Sequence, residues 1–181
     1  MEKTVDVKEI FSGKILKLQV EEVELPNGRR STREIVRHPG AVGIIPFLDD
    51  DTVVMVKQYR KPVEDYLVEI PAGKLEEGED PLECAKRELE EETGYRASLW
   101  EYLGFIYTSP GFSDEKIHIY RARYLFRSGG SKTDEDEFLD VIQMKLEDVE
   151  KKIATGEIVD SKTLSAFHLN SLKRFDRMND K

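Results

Sequence analysis

The chain has 181 residues, 36% of them charged, with a formal net charge of −9 and a sequence pI of about 5.0. That length supports one domain with a sizeable core and room for a small extra sheet. The acidic balance argues against a nucleic-acid or membrane-surface partner. One cysteine excludes an internal disulfide and fits a reducing cytosol, and Cys84 reads as a small residue at the edge of the core. No apolar run is long enough to cross a bilayer, and the charged start MEKTVDVKEI does not read as a signal peptide.

Residues 4–24 are strand-like, and Pro26-Asn27-Gly28 signals a turn in which Asn-Gly favours a tight hairpin. Residues 31–37 return as a strand, giving an N-terminal antiparallel unit of two or three strands. So small a sheet is marginal alone and needs something to rest against, such as a second subunit. Residues 41–48 and 52–59 are apolar and β-branched, flank the acidic turn Asp49-Asp50-Asp51, and read as a buried hairpin. A short strand over 67–70 enters Pro71-Ala72-Gly73.

A helix follows. Asp80 suits the N-cap, Pro81 the first helical position, and Glu83 stands three residues on in the manner of a capping box. Gly94 is placed to stop it. Leu82, Ala85 and Leu89 form an apolar stripe, and Cys84, Glu88, Glu91, Glu92 and Tyr95 lie about a quarter-turn away. Lys86 and Glu90 face solvent. Beyond the helix, residues 100–107 and 116–126 read as strands joined by a loop containing Pro110, and 141–146 as a further short strand. Residues 147–155 and 161–177 read as helices. Strands around a central helix, with a C-terminal helix on another side, predict an α/β layered domain.

The segment from Gly73 to Tyr95 carries the chemistry. Glu88 and Glu92 are four residues apart and Glu91 is three from Glu88, so the three carboxylates share a helix face. Like charges so placed cost a helix about 0.2–0.5 kcal/mol per pair, and a divalent cation would offset that. Oxygen donors without clustered His or Cys point to Mg²⁺ or Mn²⁺ rather than zinc. His38, His118 and His168 lack metal-ligand spacing and read as structural. Acidic runs on helices are ordinarily solvated faces, which accounts for Glu76, Glu77 and Glu90. It does not account for Gly73, Glu79, Arg87, Glu88, Glu91, Glu92 and Gly94 occurring together.

Those positions resemble the Nudix box: Gly, five residues, Glu, seven residues, Arg-Glu, an aliphatic residue, any residue, Glu-Glu, any residue, Gly and an apolar or aromatic residue, with every fixed position filled. The chain looks most like the ADP-ribose pyrophosphatases of that family, because Pro110 stands sixteen residues after Gly94; alone, Ser109-Pro110-Gly111 would be an ordinary tight turn. The resemblance implies an α/β/α sandwich with a mixed sheet, preceded by a small antiparallel sheet. It divides the chain into N-terminal strands over 1–38, serving dimerisation, and a hydrolase domain over 39–181. The implied reaction is Mg²⁺-dependent hydrolysis of the pyrophosphate of ADP-ribose to AMP and ribose 5-phosphate by a cytoplasmic homodimer. The alternatives are another nucleotide sugar or dinucleotide as substrate, or a module that senses ADP-ribose without turnover.

The resemblance also implies roles. Glu88 and Glu92 lead as metal ligands, Glu91 is next, and the backbone carbonyl before the box glycine is that of Ala72. Arg87 orients the box carboxylates. The general base falls in the acidic loop Thr133–Glu137, at Glu135, with Glu137 as an accessory ligand; a slip of two residues swaps them, and without the resemblance this loop is a solvated acidic run. Arg60, in Gln58-Tyr59-Arg60, would contact the diphosphate or terminal ribose, and Arg33 the adenine end across a subunit boundary. Either could instead be a surface ion-pair residue. Pro110 and Glu115 would touch substrate, and Phe11 is a possible aromatic platform for adenine.

Overall fold

The computed structural model describes residues 1–129 and 139–179, with side chains up to residue 173. Two compact units are distinguished: Met1–Gly40 with Tyr107–Lys116, and Ala41–Ile106 with Ile117–Lys181.

The first unit is built on a three-stranded antiparallel sheet in the order β1-β2-β3, from β1 (Lys3–Ser12), β2 (Lys17–Glu24) and β3 (Arg30–Arg37). The strand-like run 4–24 is thus two strands, reversed where the Gly13 N–H donates to the Leu16 carbonyl at 3.0 Å. The Asn27-Gly28 turn forms as expected. Gly28 adopts φ 79°, a left-handed conformation that favours glycine, and its N–H donates to the Leu25 carbonyl at 2.8 Å. Glu21 is a buried acid in this sheet, held by Thr4, Gln19 and Arg37.

The second unit contains two sheets. One has the order β10-β5-β6, from β5 (Thr52–Arg60), β6 (Asp65–Glu69) and β10 (Leu139–Lys145). The other has the order β7-β4-β9-β8, from β4 (Ala41–Pro46), β7 (Ala72–Lys74), β8 (Tyr95–Tyr107) and β9 (Lys116–Arg127). The pairing of β4 with β9 is parallel, and that of β4 with β7 antiparallel.

The expected hairpin of 41–48 with 52–59 is therefore not how these strands pair. They turn tightly, with Phe47 and Val53 forming a single bridge, but β4 and β5 then enter different sheets. Every residue of β4 is buried, which suits a strand covered on both faces and able to take a parallel partner. Apolar runs report burial and leave the partner open.

Alternation along these strands feeds two cores. Val42, Ile44, Val54, Tyr120 and Ala122 meet α1 (Pro81–Thr93) through Cys84, Ala85 and Leu89. Ile45, Phe47, Val53, Met55, Ile117 and Ile119 meet α2 (Leu146–Ala154) and α3 (Ser161–Asn179) through Leu146, Val149, Ala166 and Phe167. Helices on both faces of mixed sheets make the expected α/β/α sandwich. Cys84 joins the first core and is fully buried, and its sulfur also meets the acid side of the helix, where Arg87 Nη2 lies 3.4 Å away. Among the described residues no helix is long and apolar enough to cross a membrane.

Candidate active site

The first core fixes α1 against β7. Asp80 caps the helix by accepting from the backbone N–H groups of Leu82 at 2.9 Å and Glu83 at 3.2 Å. Glu83 pairs with Lys86 at 2.7 Å. Gly94 ends the helix at φ 68°, its N–H donating to the Glu90 carbonyl at 2.8 Å. Buried Leu89 anchors the middle, a contribution of about 2 kcal/mol for a fully buried leucine.

With the helix so held, two of its acids reach the strand. Glu92 is 4% exposed, and its carboxylate accepts from the Ala72 N–H at 3.0 Å. Glu88, one turn earlier, lies against Gly73, where a Cβ would stand 1.7 Å from the Glu88 carboxyl carbon. Ala72, Gly73, Glu88 and Glu92 therefore form one group, and the box glycine is the residue that lets the carboxylate approach the backbone. Pro71 supports the strand from the other side, its carbonyl accepting from the Ile44 N–H at 2.9 Å.

Arg87 organises the rest. Its Nε and Nη2 each donate to Glu79 at 3.0 Å, and Nη1 donates to Glu88 at 2.7 Å and Glu91 at 3.0 Å. Nη2 also reaches the Lys74 carbonyl at 3.3 Å. One guanidinium thereby ties the loop between β7 and α1 to the helix face. The hydrogen bond from Arg87 holds the Glu79 carboxyl down at about 2, outweighing the opposing effect of burial. The Arg87 guanidinium is raised in turn, first by its bond to Glu79. Burial pushes the neighbouring Cys84 thiol up to about 12, assisted by Glu79.

The donors suit a hard divalent cation: all are oxygens, three acids share one guanidinium, and the bare Gly73 backbone leaves room for Glu88 beside the strand. Among the described residues no three acids already stand together as a cation cluster. Arg87 Nη1 engages one oxygen of Glu88 and one of Glu91.

The other expected residues fall in different surroundings. Arg60 makes a bidentate pair with buried Glu69, at 2.8 Å to Oε1 and 2.7 Å to Oε2. Lys162 pairs with the same carboxylate. Burial pushes the Glu69 carboxyl up, but Arg60 and Lys162 outweigh it and hold it below the ordinary carboxylate value. Neither Glu69 nor Lys162 was legible in the sequence. Glu69 lies in a short strand-like run with no motif of its own, and its partner Lys162 is far away in the chain.

In the first unit, Arg33 is held by Glu2 and donates to Ser31 Oγ at 3.1 Å and the Thr32 carbonyl at 2.8 Å. Pro110 stands in a turn closed by Phe112 and Ser113 N–H groups on the Ser109 carbonyl, at 3.0 and 2.8 Å. Glu115 accepts from Thr108 Oγ1 at 2.6 Å, with His38 Nε2 3.7 Å from its other oxygen. Phe11 is exposed. Glu135 and Glu137 lie outside the described residues. His118 Nδ1 is 3.1 Å from the Tyr102 hydroxyl in the second unit.

Comparison with known proteins gives this site its context. Residues 37–167 match the family described as NUDIX domain, and residues 2–36 the nucleoside diphosphate sugar hydrolase N-terminal domain. The chain is 54% identical to the methanol dehydrogenase activator of Bacillus methanolicus, over 91% of this chain and 90% of that one. It is 50% identical to the ADP-ribose pyrophosphatase of Bacillus subtilis (strain 168), over 95% and 94%. In fold it resembles the crystal structure of an ADP compounds hydrolase, with a TM-score of 0.85, 23% identity, and coverage of 97% of this chain and 95% of that one. Nudix enzymes generally work with a divalent metal. With its box intact on α1, its sandwich fold and its N-terminal strands, the chain belongs to the Nudix family, as a hydrolase of the nucleoside diphosphate sugar type.

Proposed function

We propose that this enzyme hydrolyses the pyrophosphate of ADP-ribose to AMP and ribose 5-phosphate, with Mg²⁺ as its working metal. The observation that supports this most is the 50% identity, over nearly the whole of both chains, to an ADP-ribose pyrophosphatase. The oxygen-only donor set on α1 and β7 fits the metal.

Glu88, Glu92 and the Ala72 carbonyl hold the cation, with Glu91 as the next ligand. When bound, the metal neutralises phosphate charge and lowers the pKa of a water. Arg87 keeps Glu88 and Glu91 oriented, and Glu79 keeps Arg87 oriented. Arg60 offers its guanidinium to the diphosphate, a geometry that suits planar donors. Arg33, Pro110 and Glu115 contact the remainder of the substrate. Glu135 accepts the proton of the attacking water, or Glu137 does so in its place if the alignment with the family slips by two residues. Water adds to one phosphorus as the bridging P–O bond breaks, and the bridging oxygen leaves with the second phosphate.

The enzyme works in the cytoplasm as a homodimer. Support comes from β1, exposed along its full length, and from apolar Val5, Val7, Ile10 and Phe11, exposed on that strand. Sedimentation at micromolar concentration reads the dimer directly.

A substrate screen tests the specificity. With Mg²⁺, ADP-ribose is expected to show the highest kcat/KM among ADP-ribose, ADP-glucose, GDP-mannose, diadenosine polyphosphates and NADH, releasing AMP and ribose 5-phosphate. A higher value for another substrate moves the assignment to that compound. ADP-ribose binding with no product from any substrate leaves a sensing module. A second reading, activation of a dehydrogenase, is favoured by the 54% identity to the Bacillus methanolicus activator. Adding the chain to a methanol dehydrogenase and following its rate separates this from simple hydrolysis.

A further inference from the structure

Behind Arg60 lies a run of hydrogen bonds that closes on itself. Glu69, 1% exposed, accepts from Arg60 with both oxygens and from Lys162 with one. Lys162 also pairs with Asp160 at 3.0 Å. The second Asp160 oxygen accepts from Thr163 N–H at 2.9 Å and Thr163 Oγ1 at 2.6 Å. Thr163 Oγ1 accepts from the N–H of Ile70 at 3.0 Å, and Ile70 is the chain neighbour of Glu69. The first turn of α3 is thus locked to the residues that lead into Ala72 and Gly73. Arg60 also feels the charge of Glu92.

Stability alone is a poor reason for such a group. A buried ion pair often stabilises no more than apolar residues of the same volume. Two-point attachment through Nε and Nη2, however, fixes the plane of a guanidinium, and a fixed plane is what recognition of a diphosphate requires.

We infer that Glu69 is a positioning residue: braced by Lys162 from α3, it sets the orientation in which Arg60 meets the diphosphate of the substrate. The inference rests on the proposed function in one respect, that Arg60 takes the diphosphate. Glu69 touches no substrate. Its loss should therefore appear in binding and should disappear when Arg60 is absent.

The test compares wild type, Glu69→Gln, Arg60→Ala and the double variant. KM and kcat are measured for ADP-ribose, Kd for plain ADP by calorimetry, and Tm for each protein. Glu69→Gln is expected to raise KM and the ADP Kd about tenfold while kcat changes by less than about threefold. The double variant should match Arg60→Ala, because Glu69 then has nothing to orient. A lowered Tm with unchanged KM and Kd overturns the inference, and so do losses that multiply in the double variant.

If Glu69→Gln does not fold, Lys162→Met takes its place, since it loosens Glu69 and leaves the Arg60 pair. The same dependence on Arg60 is expected at about threefold, and multiplying losses overturn the inference there as well. If ADP-ribose is not turned over but ADP shows the coupling, the substrate reading fails and the positioning role stands. If wild type binds neither compound, both fail.

Discussion

The carboxylate of Glu88 occupies the space in which any side chain at Gly73 would begin: a Cβ there would lie 1.7 Å from Glu88 Cδ and 1.9 Å from Oε1. Strand and helix meet through this contact, and the glycine that opens the box is required by its neighbour fifteen residues on.

Gly73→Ala should therefore displace Glu88 while leaving the cores intact. The expected result is a folded protein with metal affinity and metal-dependent activity lowered about 10- to 100-fold, the range for disturbing the support of a metal ligand. Metal titration by calorimetry together with circular dichroism checks both halves.

Glu79 gives a pH dependence of defined sign. Its carboxyl is lowered from the ordinary 4.5 to about 2 by Arg87. The stabilisation from this pair is fully present above about 4.5 and is lost as pH falls through that value toward about 2. Glu79→Gln should cost about 2 kcal/mol at neutral pH, and the difference from wild type should shrink on acidification through that window. Urea denaturation of both proteins across the range measures it.

Much of this site was legible in the sequence, for a physical reason. Asp80, Pro81 and Gly94 act locally, so cap chemistry alone bounded α1 correctly. Glu88 and Glu92 follow from helical spacing. The pairing of β4 with β9 and the Glu69–Lys162 pair join residues far apart in the chain, and no local signal specifies such partners. A helical wheel gives angle without depth: it sets Cys84 on the side of the acids, where Arg87 Nη2 does reach its sulfur at 3.4 Å, but it cannot give its full burial. The neighbouring strands set how far round the helix burial extends, and here they cover Cys84 along with Ala85 and Leu89.

Asp80→Ala removes the two cap bonds to Leu82 and Glu83. The cost should be about 1 kcal/mol, or about 2–4 °C in Tm for a domain of this size. Differential scanning calorimetry checks the shift, and activity measured well below Tm should survive, because the cap does not touch the acids.

Cys84 is fully buried and its thiol is pushed up to about 12, so its reactivity reports unfolding of the first core. Iodoacetamide should leave the native protein unlabelled at mildly alkaline pH and label it fully in denaturant. Mass spectrometry reads the modification. Labelling without denaturant would show that α1 leaves the sheet readily.

The central claim is that the carboxylates on α1 serve a metal-dependent pyrophosphate hydrolysis. The most direct measurement is AMP release from ADP-ribose with Mg²⁺ by wild type and by Glu92→Gln, with the fold of both verified. The account predicts rapid release by wild type, none when the metal is chelated, and a loss of about 10²-fold or more in Glu92→Gln, the scale expected for a group stabilising charge in the reaction. Release by wild type that is indifferent to chelation, or a folded Glu92→Gln that keeps the wild-type rate, would contradict it.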